Sequence, residues 1–157
     1  QPRDTLRRPD ILDFVSMIEE IIEYKFLVLY RNPVSAAYSV IRRELTKNAI
    51  LQAKIVEDNL IYIEKQLRQL QRDCYRTLIF EDFISNPYAF VKGLSEWWDI
   101  DMEILYKGMK NIKMPTQLSE IPKKEKKILE DFFTERRIRQ WIDFYSSNSV
   151  LSEDTRQ

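Results

Sequence analysis

Residues 25–39 read Lys25-Phe26-Leu27-Val28-Leu29-Tyr30-Arg31-Asn32-Pro33-Val34-Ser35-Ala36-Ala37-Tyr38-Ser39, and the fold is decided there. KFLVLY, residues 25–30, is an apolar run too short for a helix and closed by Arg-Asn-Pro. That pattern predicts a strand buried on both faces. Pro33 suits the first turn of a following helix, because its missing N–H would have no partner there anyway. The helix continues through Ala36, Ala37, Val40 and Ile41. Ligands collect at the C-terminal edge of a parallel sheet. Arg31 stands at that edge, and Ser39 follows it by eight residues. A helix N-terminus there offers free N–H groups and a positive dipole end. Arg31 adds a planar fork suited to phosphate oxygens. The residues alone therefore describe an anion site. The alternative is that Arg31 pairs with a carboxylate and Ser39 bonds only to the backbone.

Upstream, residues 1–9 are polar and basic and read as a loop. Asp10 can cap a helix running to about Tyr24, with Ile11, Phe14, Val15, Ile18, Ile21 and Ile22 as its stripe. Downstream, a longer helix spans about Asn48 to Arg72. Ala49, Ala53, Val56, Leu60, Ile63, Leu67 and Leu70 repeat along it at heptad-like spacing. This predicts a long helix lying across a core. A dimeric coiled coil is the alternative, and three heptads are marginal for it. YRTLIF, residues 75–80, is a second strand, followed by Glu81-Asp82. Asn86 and Pro87 open a helix with Phe90, Val91, Leu94, Trp97 and Trp98 as its stripe. Asp101 opens a short helix to about Lys110, and residues 111–121 form a polar loop. Pro122 starts a lysine-rich helix carrying Ile128, Leu129, Phe132 and Phe133; a last segment runs from Ile138 to Tyr145. Residues 146–157 read as a frayed tail. The expected fold is α/β: helix-rich, with a small parallel sheet flanked by helices. The whole forms one domain over 1–157, with its core at about 10–145.

Composition narrows the chemistry. The 157 residues contain no His, one Cys and two Gly, at 93 and 108. A Ser-His-Asp triad, a His-ligated zinc, an internal disulfide, a G-x-G-x-x-G loop and a Walker loop are all excluded within these residues. Lys+Arg and Asp+Glu balance at 25 each, which argues against a general nucleic-acid binder. No apolar run approaches the ~18 residues that cross a bilayer. No signal peptide is recognisable at the N-terminus. The single Cys74 suits a reducing compartment. The chain starts with Gln, which fits a processed protein, a trimmed chain or a piece of a longer one.

Arg31, Asn32, Pro33 and Ser39 resemble, in identity and spacing, the 3′-phosphate motif of the sulfotransferases that use 3′-phosphoadenosine 5′-phosphosulfate (PAPS). A second likeness lies about 50 residues on, in LIFEDFISNPYAFVKGLSEWW, where Glu81, Asp82 and Pro87 match the family's strand-end motif. Phe80 stands where the family often has a Tyr against the nucleotide. The likeness covers roughly residues 10–100. It implies a P-loop-like sulfotransferase fold lacking its N-terminal strand-loop-helix, since no glycine loop for the 5′-phosphosulfate is present and its expected place is ahead of Gln1. The family's C-terminal basic loop is echoed only weakly by Lys107-Gly108 and the segment from Lys110 to Lys113.

The resemblance implies transfer of a sulfuryl group from PAPS, without a metal, to a hydroxyl or amine on a small molecule, glycan or protein. Arg31 and Ser39 would hold the 3′-phosphate and Phe80 would pack near the adenosine. It assigns no catalytic base. It makes Glu81 and Asp82 strand-end structural acids rather than acid/base groups. Cytoplasmic residence is expected, with the Golgi lumen as the alternative, because members of the family occupy both. A different class of function is a non-catalytic, sulfotransferase-like helical module that binds a partner protein. The heptad helix and the absent half-site favour it, and a homodimer through that helix goes with it. Trp97-Trp98 is expected as core and rim, residues 123–127 (KKEKK) as a solvated face, and Cys74 as an inert thiol.

Overall fold

The computed structural model describes residues 10–43, 48–109 and 121–151. Two strands, β1 (Phe26–Tyr30) and β2 (Tyr75–Ile79), pair in parallel, with Phe26 opposite Tyr75 and Tyr30 opposite Ile79. Around them lie α1 (Ile11–Ile18), α2 (Pro33–Arg42), α3 (Ala49–Leu67), α4 (Phe80–Ser85), α5 (Pro87–Trp98), α6 (Met102–Met109), α7 (Lys123–Phe132) and α8 (Glu135–Ser146). A 3-10 turn, Arg72–Cys74, leads into β2. The small parallel sheet flanked by helices is thus as expected from the apolar runs. The segments 1–9, 110–120 and 152–157 lie outside the described residues, and with them the N-terminal loop, Lys110 to Lys113 and most of the polar loop.

Strand alternation sorts the core into two layers. Phe26, Val28, Tyr30, Tyr75 and Ile79 face a cluster built with α2, α3, α7 and α8, which includes Leu67, Leu129, Phe133, Trp141 and Tyr145. Leu27 and Leu78 face a second cluster with Phe83, Phe90, Leu94 and Val150. β1 departs from the expectation of burial on both faces, because Leu29 is 58% exposed. The physical reason is the width of the sheet. α4 packs on β2, and the second layer reaches Leu27 but not Leu29.

Helix starts follow local chemistry. Asp10, Asn32, Asn48, Asn86 and Thr134 each cap a helix through a side-chain oxygen. Asp10 also accepts from the Tyr62 hydroxyl at 2.9 Å, and Ile11 N–H donates to Gln66 Oε1 at 2.9 Å, tying α1 to α3. Helix ends follow packing. α1 stops at Ile18 rather than near Tyr24, and Ile21 and Ile22 beyond it are 78% and 54% exposed. α3 stops at Leu67, short of Arg72, so the chain can turn into β2. Phe80 opens α4 instead of closing β2, and this short helix was not expected.

The heptad-like seam of α3 faces inward. Ala49, Ala53 and Leu67 are buried, and Val56, Leu60, Ile63 and Leu70 pack on the same core against α2 and α7. Pairing this seam with a second copy would require opening the core.

The tail corrects the expectation of fraying from residue 146. Thr77 N–H donates to Asn148 O at 2.9 Å, and Val150 N–H donates to Thr77 O at 3.1 Å. Asn148 Nδ2 donates to Tyr75 O at 2.8 Å, and the Thr77 hydroxyl donates to Tyr145 O. Val150 is buried in the second layer. The segment therefore covers the outer edge of β2, and the ordered core extends at least to Leu151. Gly93 permits the close approach: a Cβ there would stand 2.2 Å from Val150 O.

Candidate functional site

Parallel pairing brings the C-terminal ends of β1 and β2 side by side, with Tyr30 opposite Ile79. The next residues, Arg31 and Phe80, therefore become neighbours. The Arg31 guanidinium carbon lies 5.7 Å from the centre of the Phe80 ring. Phe80 rests in turn on Phe83, with ring centres 6.2 Å apart. The two motifs are joined directly, because Asn32 N–H donates to Glu81 Oε1 at 2.9 Å. Glu81 thus acts as a strand-end acid that fixes the β1–α2 turn.

Arg31 is half-buried. Its Nε and one terminal nitrogen, Nη2, are fully covered and make no hydrogen bond among the described residues. Buried donors without acceptors are costly and uncommon. Burial pushes the Arg31 pKa down; Glu81 partly offsets this, and Arg42 and Arg43 add to it. The guanidinium keeps its charge all the same. No ion pair links Arg31 to a carboxylate among the described residues, although the Glu81 charge acts on it.

The alternative expected for Ser39, a bond to the backbone, is present. Ser39 Oγ donates to Ala36 O at 2.8 Å. Its lone pairs remain, and the hydroxyl can rotate. Ser39 lies roughly 9 Å along α2 from Pro33, given a rise of about 1.5 Å per residue. A ligand that meets both Arg31 and Ser39 has to lie along the helix.

The free helix N-terminus expected from the sequence is corrected. Asn32 Oδ1 accepts from Val34 N–H at 3.0 Å and from Ser35 N–H at 3.4 Å. Ala36 N–H reaches Asn32 O at 2.9 Å, and Pro33 has no N–H. The cap consumes these donors, so an anion here is held by side chains rather than by the backbone of α2.

Tyr30 belongs to the same corner and was missed as a strand residue like its neighbours. It is 1% exposed, stacks on Tyr145 with ring centres 4.7 Å apart, and its hydroxyl has no hydrogen-bond partner among the described residues. Burial, together with the nearby Glu81 charge, pushes its pKa well up.

Other candidates lie elsewhere. Trp97 and Trp98 stack on each other, with Lys25 Nζ 5.8 Å and the Arg76 guanidinium 5.5 Å from Trp97. This cluster stands at the N-terminal edge of the sheet, opposite Arg31. Cys74 is half-buried at that same edge. The cavity beside it, about 670 Å³, is rimmed by Glu19, Glu23 and Asp73, which disfavours an anion. Lys126 pairs with Glu130 at 3.7 Å, as expected of a solvated face. Among the described residues no helix is long and apolar enough to cross a membrane. In comparisons with known proteins, no family model, no curated protein and no solved structure matches the chain.

Proposed function

We propose that this chain binds the 3′-phosphate of PAPS in a sulfotransferase that acts on a hydroxyl or amine acceptor, within a P-loop-like sulfotransferase fold. One observation carries the reading: Arg31, half-buried at the C-terminal edge of a parallel sheet, has two covered nitrogens that find no acceptor among the described residues. A phosphate supplies paired oxygen acceptors in the geometry a guanidinium takes. Phe80, beside Arg31, offers an apolar face on which a base can pack. When bound, PAPS supplies the sulfuryl group, which the acceptor takes up as it loses a proton and 3′-phosphoadenosine 5′-phosphate is released.

The residues of this chain contribute binding and orientation. Arg31 and Ser39 hold the 3′-phosphate, a group remote from the reacting sulfur. Energy gained there positions the donor for attack. Glu81 holds the Asn32 backbone, and with it the turn that aims Arg31. No residue is assigned as base. The rival reading, a non-catalytic helical interaction module, loses one support, because the α3 seam that favoured it packs into this chain's own core.

The test is calorimetric titration with 3′-phosphoadenosine 5′-phosphate. Wild type is expected to bind saturably. Arg31→Ala is expected to weaken binding by about tenfold to a hundredfold, the range for hydrogen bonds to charged groups. No binding by wild type, or equal binding by the variant, would sink the proposal.

A further inference from the structure

α3 is apolar on two sides, and the fold covers one of them. Successive residues of a helix turn by about 100°, so Ile50, Leu51, Lys54, Ile55, Asp58 and Ile61 fall within about 140° of one another. That face stands opposite the Ala53, Val56, Leu60 and Ile63 seam, which packs into the core. Its four apolar side chains are 42–60% exposed. Single exposed isoleucines are ordinary, but four apolar groups on one face of one helix form a patch, and patches mark interaction surfaces. Helix propensity does not explain them, because Ile forms helices less readily than Lys, Glu or Gln. Charges flanking the face are satisfied within the chain: Arg137 pairs with Glu57, and Arg68 pairs with Glu64 at 2.6 Å. At its centre stand Lys54, exposed, and Asp58, half-buried. α8 lies along one side, across a groove of about 530 Å³ lined in part by Ile61, Gln140 and Phe144. α1 begins on the other side, where the Tyr62 hydroxyl donates to Asp10.

The order of residues on this face is self-complementary. With a rise of about 1.5 Å per residue, Lys54 stands about 3 Å to one side of Val56 along the helix axis, and Asp58 about 3 Å to the other. Leu51 and Ile61 stand about 7.5 Å to either side. A second α3 laid antiparallel, with a two-fold axis at the level of Val56, therefore sets Lys54 level with Asp58 of the second copy, twice over. The same register sets Leu51 level with Ile61 of the second copy, with Ile50 alongside. A slip of one turn in either direction would set Asp58 on Asp58 or Lys54 on Lys54 instead. Such a patch suits an isologous interface, to which each copy brings the same surface. Asp58 also interacts within its own chain, and a carboxylate accepts from more than one donor. We propose that α3 pairs antiparallel with α3 of a second copy through this outer face, and that Lys54 and Asp58 set the register of the homodimer. Phosphate binding at Arg31 plays no part in this pairing.

The experiment is analytical ultracentrifugation of the full chain from micromolar to millimolar concentration, with Lys54→Glu and Asp58→Lys as separate variants. Both positions lie on the outside of α3, and circular dichroism checks that each variant folds. Wild type is expected to sediment as a dimer at the upper concentrations. Lys54→Glu sets acid against acid across the two-fold, and Asp58→Lys sets cation against cation. Each variant alone is expected to dimerise about tenfold or more weakly than wild type. An equimolar mixture of the two is expected to regain the dimer, because each acid then meets a cation of the other chain. That regain requires both variants to be folded. A wild type that stays monomeric throughout, single variants that dimerise as wild type does, or a mixture that stays monomeric would each overturn the proposal.

Discussion

Two nitrogens of Arg31 are covered and find no acceptor among the described residues. Burying a cation without a partner lowers stability. Methionine has similar reach and no polar donor. Arg31→Met is therefore expected to hold or raise the thermal midpoint while abolishing phosphate binding. Each kcal/mol recovered corresponds to about 2–4 °C in a chain of this size. Thermal unfolding by circular dichroism checks this, and a clear drop in midpoint would make Arg31 a structural residue. Arg31 was legible as a cation at a strand end and Ser39 as a residue of the Pro-started helix, because both are local patterns; Phe80 was singled out by the family resemblance alone. The partner of each was not legible. Glu81 reaches Asn32 across 49 residues of sequence, a contact that depends on strand pairing. Tyr30 reads like any strand residue, and only its surroundings single it out.

Gly93 sits inside α5, where glycine costs up to about 1 kcal/mol relative to alanine. Propensity alone predicts that Gly93→Ala stabilises. The close approach of Val150 O, 2.2 Å from the position of a Cβ, predicts the reverse. The neighbour is backbone and cannot swing aside. Gly93→Ala is expected to destabilise in urea and to speed amide exchange at Thr77 and Val150, whose N–H groups bond across this junction. A stabilised variant with unchanged exchange would refute the docking of the tail. Element starts were legible because caps are local: Asn32 and Asn86 each precede a Pro that opens a helix. Element ends were not. α1 and α3 end where their apolar stripes lose a surface or the chain has to turn. α4, six residues long, carries too little periodicity to be seen.

At the scale of the molecule, the two-stranded sheet depends on what covers it. Residues 148–150 close the outer edge of β2, and Val150 fills the second layer. Burying a valine side chain is worth roughly 1.5–3 kcal/mol, and an open sheet edge invites association. A chain ending at Ser146 is expected to lose about 2 kcal/mol or more of stability and to self-associate. Chemical denaturation and light scattering check this, and unchanged values would return the tail to a frayed end. Periodicity, caps and turns lie within a few residues of one another. The sequence by itself therefore determined the helix-rich α/β class, the two strands, most helix starts and the position of Arg31 at a strand end. Only the tertiary structure decided that the α3 seam turns inward, that the tail covers β2, that the Asn32 cap consumes the donors of α2, and that Arg31 stands against Phe80 with two nitrogens lacking acceptors among the described residues. Each of these depends on which distant segments pack together, and packing is set by the shape and burial of the whole chain rather than by any local pattern.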